Sequence, residues 1–264
     1  MNRVQSLGAF ILLPWIAVPT VAPETSPTFE DQVVDLSWAF DEQTVYWPTA
    51  KSFELEVVAS GQTEGGFWYA ANNISLAEHG GTHVDAPVHF GEGKRSVDEI
   101  PVEQLIGPAA VIDVRAQAAA NPDYRLRVED IQEWEHAHGR IPEGAIVLMR
   151  SGWGSRWPDK KAYLGTDVPG DVDNLHFPGF SAEAADFLLS RRAIDAIGVD
   201  TPSIDYGQSK NFTVHRILSE ANVPGLENVA HLDRLPQAGA TVLAMPMKIR
   251  GGSGAPARII AFLP

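Results

Sequence analysis

Within eleven residues the chain places His79, His83, Asp85 and His89, in the run HGGTHVDAPVH. Imidazole nitrogens and a carboxylate are ligands for divalent metals, with zinc and manganese both suited to such a set. Two imidazoles and one carboxylate leave a coordination position open, where the pKa of a water can fall to about 7. His89, beyond that set, has a side chain that can move protons near neutrality. There is no HExxH motif, and Gly80, Gly81 and Pro87 argue against one continuous helix. The spacing predicts an extended segment in which residues 83, 85, 87 and 89 share one face. A turn at Gly80–Gly81 would bring His79 round to join them, and Pro87 biases Ala86 towards extended backbone.

Strands and helices must hold this cluster in place. QVVDLSWAF, SFELEVVAS and FWYAANNISLAEH read as extended runs, the second with strand alternation and the third leading into the histidine motif. AAVIDVR and AIVLMRSGW are short apolar runs, as in strands buried on both faces. ATVLAMPMKI and ARIIAFLP read as buried strands near the C-terminus. Helices are expected over VEDIQEWEHAHG, stopped at Gly139, over SAEAADFLLSRR, capped by Ser181, and over NFTVHRILSEANVPG. His136 and His138 fall on the polar face of the first and are expected in solvent. Residues 155–179 lack periodicity and read as one long loop. Strands alternating with helices predict an α/β protein, with one domain over residues 32–264.

The composition excludes several kinds of chemistry. The chain of 264 residues has no cysteine, so thiolate zinc sites, cysteine nucleophiles and disulfides are ruled out. A formal net charge of −14 makes nucleic acid an unsuitable partner. Residues 1–31 form a separate signal-like or mobile segment. Arg3, the apolar run Leu7 to Val18 and Thr20-Val21-Ala22 resemble a cleavable export signal, although Pro23 is a poor neighbour for cleavage. The run is too short for a membrane span, so none is expected in the mature chain.

Further residues could complete or line a site. His215 and Glu227 are candidates for a second ion, though each also reads as a structural residue. Trp47, in the turn Val45-Tyr46-Trp47-Pro48, is either a packed anchor or a wall of a substrate pocket. His176 is either a substrate contact or an ordinary loop histidine. Ser203, in IGVDTPSID, lacks a GxSxG elbow and is expected to shape a pocket or a subunit contact.

The pattern H-x-G-T-H-x-D-x-P-x-H resembles the signature of the metal-dependent cyclase family, which includes kynurenine formamidases and isatin hydrolases. Trp47-Pro48, Ile197 to Asp205, His215, Glu227-Asn228 and the final AMPMKIRGGSGAPAR extend the resemblance from about Asp35 to the C-terminus. It implies a swivelling β/β/α-type single domain, a homo-oligomer, and hydrolysis of a small-molecule amide. The amide would be an N-formyl arylamine such as N-formylkynurenine, or a cyclic amide. It also implies that His79, His83 and Asp85 hold one divalent ion. Asp85, His215 and Glu227 would hold a second, with Asp85 and Glu227 bridging. His89 would take the acid/base position and Trp47 would line the substrate site. NPDYRLRVEDIQEWEHAHG resembles the isatin hydrolase branch, which uses one manganese, whereas Glu227 resembles the formamidase branch. A lyase or cyclase reaction, and a non-catalytic metal-pocket binder, are the other function classes.

Overall fold

In the computed structural model, which describes residues 32–264, the short apolar runs become the staves of a barrel. The signal-like reading of residues 1–31 falls outside the described residues. In chain order the strands are β1 (Val33–Asp35), β2 (Glu54–Gln62), β3 (Trp68–Ser75), β4 (His83–Asp85), β5 (Ile106–Asp113), β6 (Arg125–Leu126), β7 (Ile146–Arg150), β8 (Gly179–Phe180), β9 (Ala196–Val199), β10 (Gly225–Glu227), β11 (Thr241–Pro246) and β12 (Gly254–Phe262). The helices are α1 (Arg115–Ala120), α2 (Val128–His138), α3 (Lys160–Leu164), α4 (Ala182–Arg192) and α5 (Thr213–Glu220). The main sheet runs β1-β12-β11-β5-β7-β9-β10-β4, and β12 also pairs with β4. Seven strands therefore close on themselves, and β1 extends the free edge of β12. Strands β5, β7, β9 and β10 are parallel, and the remaining neighbours are antiparallel. Closure leaves few open edges to pair with other chains.

Alternation along these strands builds two cores. Val84, Val111, Leu148, Leu226, Val242 and Ile259 belong to one buried cluster, the barrel interior. Their neighbours Ile112, Val147, Met149 and Ile197 face outward, where Ile131 and Trp134 of α2, Leu188 of α4 and Leu218 of α5 cover them. Each fully buried side chain of this size contributes about 1.5–3 kcal/mol. Helix α4 shows why the outer layer forms. The Ser181 hydroxyl accepts from Ala184 N, Glu183 lies in the first turn, and Arg191 and Arg192 lie in the last.

The expected strands and helices are present. Strands β2 and β3 form a hairpin that is exposed on both faces, so its alternation does not mark a half-buried strand. Residues 155–179 are not one structureless loop, because α3 interrupts them; Asp159 caps that helix by accepting from Ala162 N. The extended reading of the histidine motif holds only for residues 83–85. Pro87–His89 form a 3-10 turn with Pro87 in first position, since its fixed φ suits a helical start.

Candidate metal centre

Alternation on β4 separates core from chemistry. Val84 enters the barrel interior, which turns His83 and Asp85 to the opposite face. Strand β10 pairs with β4 in antiparallel register, with Glu227 opposite His83 and Gly225 opposite Asp85. Leu226 is buried in the barrel, so Glu227 shares the face of His83. Helix α5, packed on the barrel through Val214 and Leu218, brings His215 over the same spot. His79 arrives by the turn at Gly80–Gly81. At Gly80 a Cβ would lie 2.0 Å from Cδ1 of Tyr46, and Gly81 has φ +57, so both positions need glycine.

Three imidazoles are locked so that one nitrogen of each is left for the centre. His83 Nδ1–H donates to the Gly81 carbonyl at 3.0 Å, leaving Nε2 as the nitrogen that faces the centre. His215 Nδ1–H donates to Asp205 at 2.7 Å, leaving its Nε2. The Ser253 hydroxyl donates to Glu78 at 2.6 Å and so accepts from His79 Nε2–H at 2.9 Å, leaving Nδ1. Such outer partners set tautomer and orientation at metal sites. The three remaining nitrogens meet carboxylates. Asp85 Oδ1 lies 2.6 Å from His79 Nδ1 and 3.0 Å from His83 Nε2. Its Oδ2 lies 3.0 Å from His215 Nε2. Glu227 spans the same pair, with Oε1 3.2 Å from His215 Nε2 and Oε2 3.5 Å from His83 Nε2.

A divalent ion fits this donor set. His83 Nε2 is buried without a hydrogen-bond partner, beside two carboxylates. The ligand atoms of His79, His83 and Asp85 lie within 4.8 Å of one another, as do those of Asp85, His89 and His215. The electrostatics also favour a cation. Burial opposes charge on His83, but Asp85, then Glu227 and the Gly81 carbonyl, carry its pKa up to about 9. His215 is likewise buried, yet Asp205, Asp85 and Glu227 hold its pKa well above the ordinary value. Asp85, despite its own burial, is held well below the usual carboxylate range by His79, His215 and His83.

His89 is different. Its ring stacks on His79 with centroids 3.8 Å apart, and among the described residues nothing hydrogen-bonds to it. Burial, with opposition from Asp85 and help from the three neighbouring imidazoles, lowers its pKa to about 4. It is therefore neutral at pH 7 and can accept a proton. A cavity of about 270 Å³ opens over these groups, walled by Trp47, Phe90 and Phe212, with Pro202 and Ser203 also lining it.

Not every candidate residue lies here. His176 is exposed, pairs with Asp123 at 2.9 Å and does not line the cavity, so the structure gives it no place in substrate contact. His136 and His138 are exposed on α2. Sequence reasoning did not single out Asp205, Ser253, Glu78 or Asn228 as supporting groups. Asn228, at φ +53, donates to the Gly81 carbonyl at 2.8 Å and accepts from Tyr163 at 3.0 Å, thereby fixing the carbonyl that orients His83. Its place beside Glu227 was the one available signal. Ser253 lies 174 residues from His79 and gave none.

A closed barrel with an outer helix layer, and a histidine–carboxylate centre on its wall, define the class: the chain belongs to the cyclase family, whose model matches residues 34–206. Among curated relatives, the isatin hydrolase of Roseibium aggregatum is 37% identical over 219 residues, 80% of this chain and 81% of that protein. The kynurenine formamidase of Salinibacter ruber is 27% identical over 230 residues, 86% of this chain and 96% of that protein. The structure of isatin hydrolase A from Labrenzia aggregata bound to benzyl benzoate superposes with TM-score 0.80 at 37% identity. It covers 88% of this chain and 93% of the other.

Proposed function

We propose that this chain is a metal-dependent hydrolase of a small aryl amide, either an N-formyl arylamine such as N-formylkynurenine or an isatin-like lactam. The observation that carries this reading is the convergence of three tautomer-locked imidazoles on Asp85, beside an unbonded neutral His89, at the floor of an aromatic cavity. A divalent ion on His79, His83 and Asp85 would polarise the amide carbonyl and make water acidic enough to react. His89 removes the proton from the attacking water. As the C–N bond breaks, the protonated His89 returns that proton to the departing nitrogen, so one water is consumed per amide. Trp47 forms one wall for the aryl group.

Both oxygens of Asp85 are engaged, and Glu227 spans the gap between His83 and His215. Two ions per chain would suit this arrangement, with His79, His83 and Asp85 to hold one and Asp85, His215 and Glu227 to hold the other. Zinc and manganese both suit these ligands. The hairpin of β2 and β3 exposes Leu55, Val57, Trp68 and Ile74, a surface suited to a second copy of the chain in a homo-oligomer. Among the described residues no helix is long and apolar enough to cross a membrane. Export through residues 1–31 remains part of the proposal, and N-terminal sequencing of the mature protein tests it.

The deciding experiment assays N-formylkynurenine and isatin with zinc or manganese added, alongside metal counts for wild type and Glu227→Ala. Formyl release with two ions, falling to one in the variant, supports a formamidase-like enzyme. Lactam opening with one ion, unchanged in the variant, supports the isatin hydrolase-like reading. A His89→Ala protein that keeps its metal and full activity would remove the proton-shuttle role. A product without added water would indicate a lyase or cyclase, and binding without turnover a non-catalytic protein.

A further inference from the structure

Phe212 breaks two local rules at once. It occupies the N-cap of α5, where Ser, Asp or Asn is favoured, and its side chain makes no capping bond. It also adopts φ +47, a left-handed conformation that is strained for a bulky residue and that Gly or Asn adopts readily. Capping does not explain it, because Asp205 caps this helix from a distance, accepting from Val214 N at 3.2 Å and His215 N at 3.1 Å. Local violations of this kind collect where a site requires them.

The position makes sense only from the cavity. The Phe212 ring lies 6.2 Å from Trp47, 5.1 Å from Phe90 and 5.9 Å from His215, between centroids. It thus joins the outer wall at Trp47 to the reacting side, where Phe90 packs 4.4 Å from His89 and 4.6 Å from His215. All three aromatic rings line the same cavity. Aromatic rings prefer tilted or offset partners, which the angles of 58° and 33° leave available to an incoming flat ring.

We propose that Phe212 is a specificity-determining residue: with Trp47 and Phe90 it forms the slot that selects a planar aryl group and holds its amide carbon beside His89. This inference rests on the aryl-amide reading for its substrate but not for its binding test. The test compares wild type with Phe212→Leu, which keeps apolar bulk but loses the ring, and with Phe212→Tyr, which keeps the ring. Binding of 2-aminobenzoate to metal-loaded protein is followed by fluorescence, with acetate as the non-aromatic probe. We expect about tenfold weaker aryl binding in Phe212→Leu, within threefold of wild type in Phe212→Tyr, with acetate binding and metal content unchanged. Turnover should follow: KM for aryl amides rises about tenfold in Phe212→Leu and by less than about threefold in Phe212→Tyr.

Equal aryl affinity in wild type and Phe212→Leu would overturn the proposal. So would a loss shared equally by 2-aminobenzoate and acetate, which marks a structural role. If wild type hydrolyses no aryl amide, the proposed function fails, and the binding comparison still decides the slot.

Discussion

Replacing Asp205 by Asn tests whether the metal centre is held from behind. The Asp205 carboxylate accepts from His215 Nδ1 at 2.7 Å and from two backbone amides at the start of α5. An Asn of the same shape can keep one acceptor but carries no charge. A hydrogen bond to a charged group contributes about 1.5–3 kcal/mol, against about 1 kcal/mol for a neutral one. The loss of about 1–2 kcal/mol converts to roughly 5–30-fold weaker binding of the ion that His215 holds. Removing outer partners of metal ligands elsewhere typically costs 10–100-fold. Competition with a graded chelator measures the affinity, and circular dichroism checks the fold. A second arm uses pH. Burial works against the Asp205 charge, but His215 and the α5 amides outweigh it and hold its pKa below the usual range. Its stabilisation is therefore present above the ordinary carboxylate pKa and lost as pH falls through the lower folded value. The stability gap between wild type and Asp205→Asn should close below about pH 4. An affinity within twofold of wild type, in a folded variant, would refute the reasoning.

Three further outcomes are expected. In metal-free protein His83 keeps its proton up to about pH 9, so an incoming ion must displace it. Affinity should rise about tenfold per pH unit for each proton displaced, flattening above pH 9, and chelator competition from pH 7 to 10 would show it. Gly80→Ala drives a methyl group into the buried Tyr46 ring. It should cost about 3 kcal/mol and lower Tm by roughly 6–12 °C, and a calorimetric scan with no shift would contradict the packing account. Leu55 and Ile74 face each other across the exposed hairpin. Changing both to Lys should give monomers in sedimentation velocity if the hairpin mediates self-association, and an unchanged oligomer would place that contact elsewhere.

The sequence revealed most where chemistry and local pattern coincide. His79, His83 and Asp85 could be read together because all three lie in one short run, and the glycine pair between them already implied a turn. Val147 and Leu148 announced a buried strand because both faces of β7 are covered. The hairpin forms the strands that its pattern implied, but its burial was not legible. Its alternation normally signals one buried face, yet neither strand packs on the body of the chain. The outer partners were hidden because they are joined only by tertiary approach: Ser253 reaches His79 across 174 residues, and Asp205 reaches His215 across ten. His176 stayed open between two readings, since an isolated loop histidine has nothing in its neighbourhood to say which way it turns.

The wide separation of the site residues has a consequence for how the protein is made. His215 meets Asp85 across 130 residues, and the pairing of β12 with β4 closes the barrel using the last strand of the chain. During synthesis the first histidines leave the ribosome long before their partners exist. An ion captured then would find flexible ligands and no second carboxylate. Assembly of the centre therefore waits for β12, and a ribosome-stalled chain ending before Ser253 would lack both the closed barrel and the Ser253 contact that orients His79. Contacts this distant in sequence also slow folding, since loop closure must precede any reward. The site is thus a late product of folding, completed only once β12 is available to pair with β4.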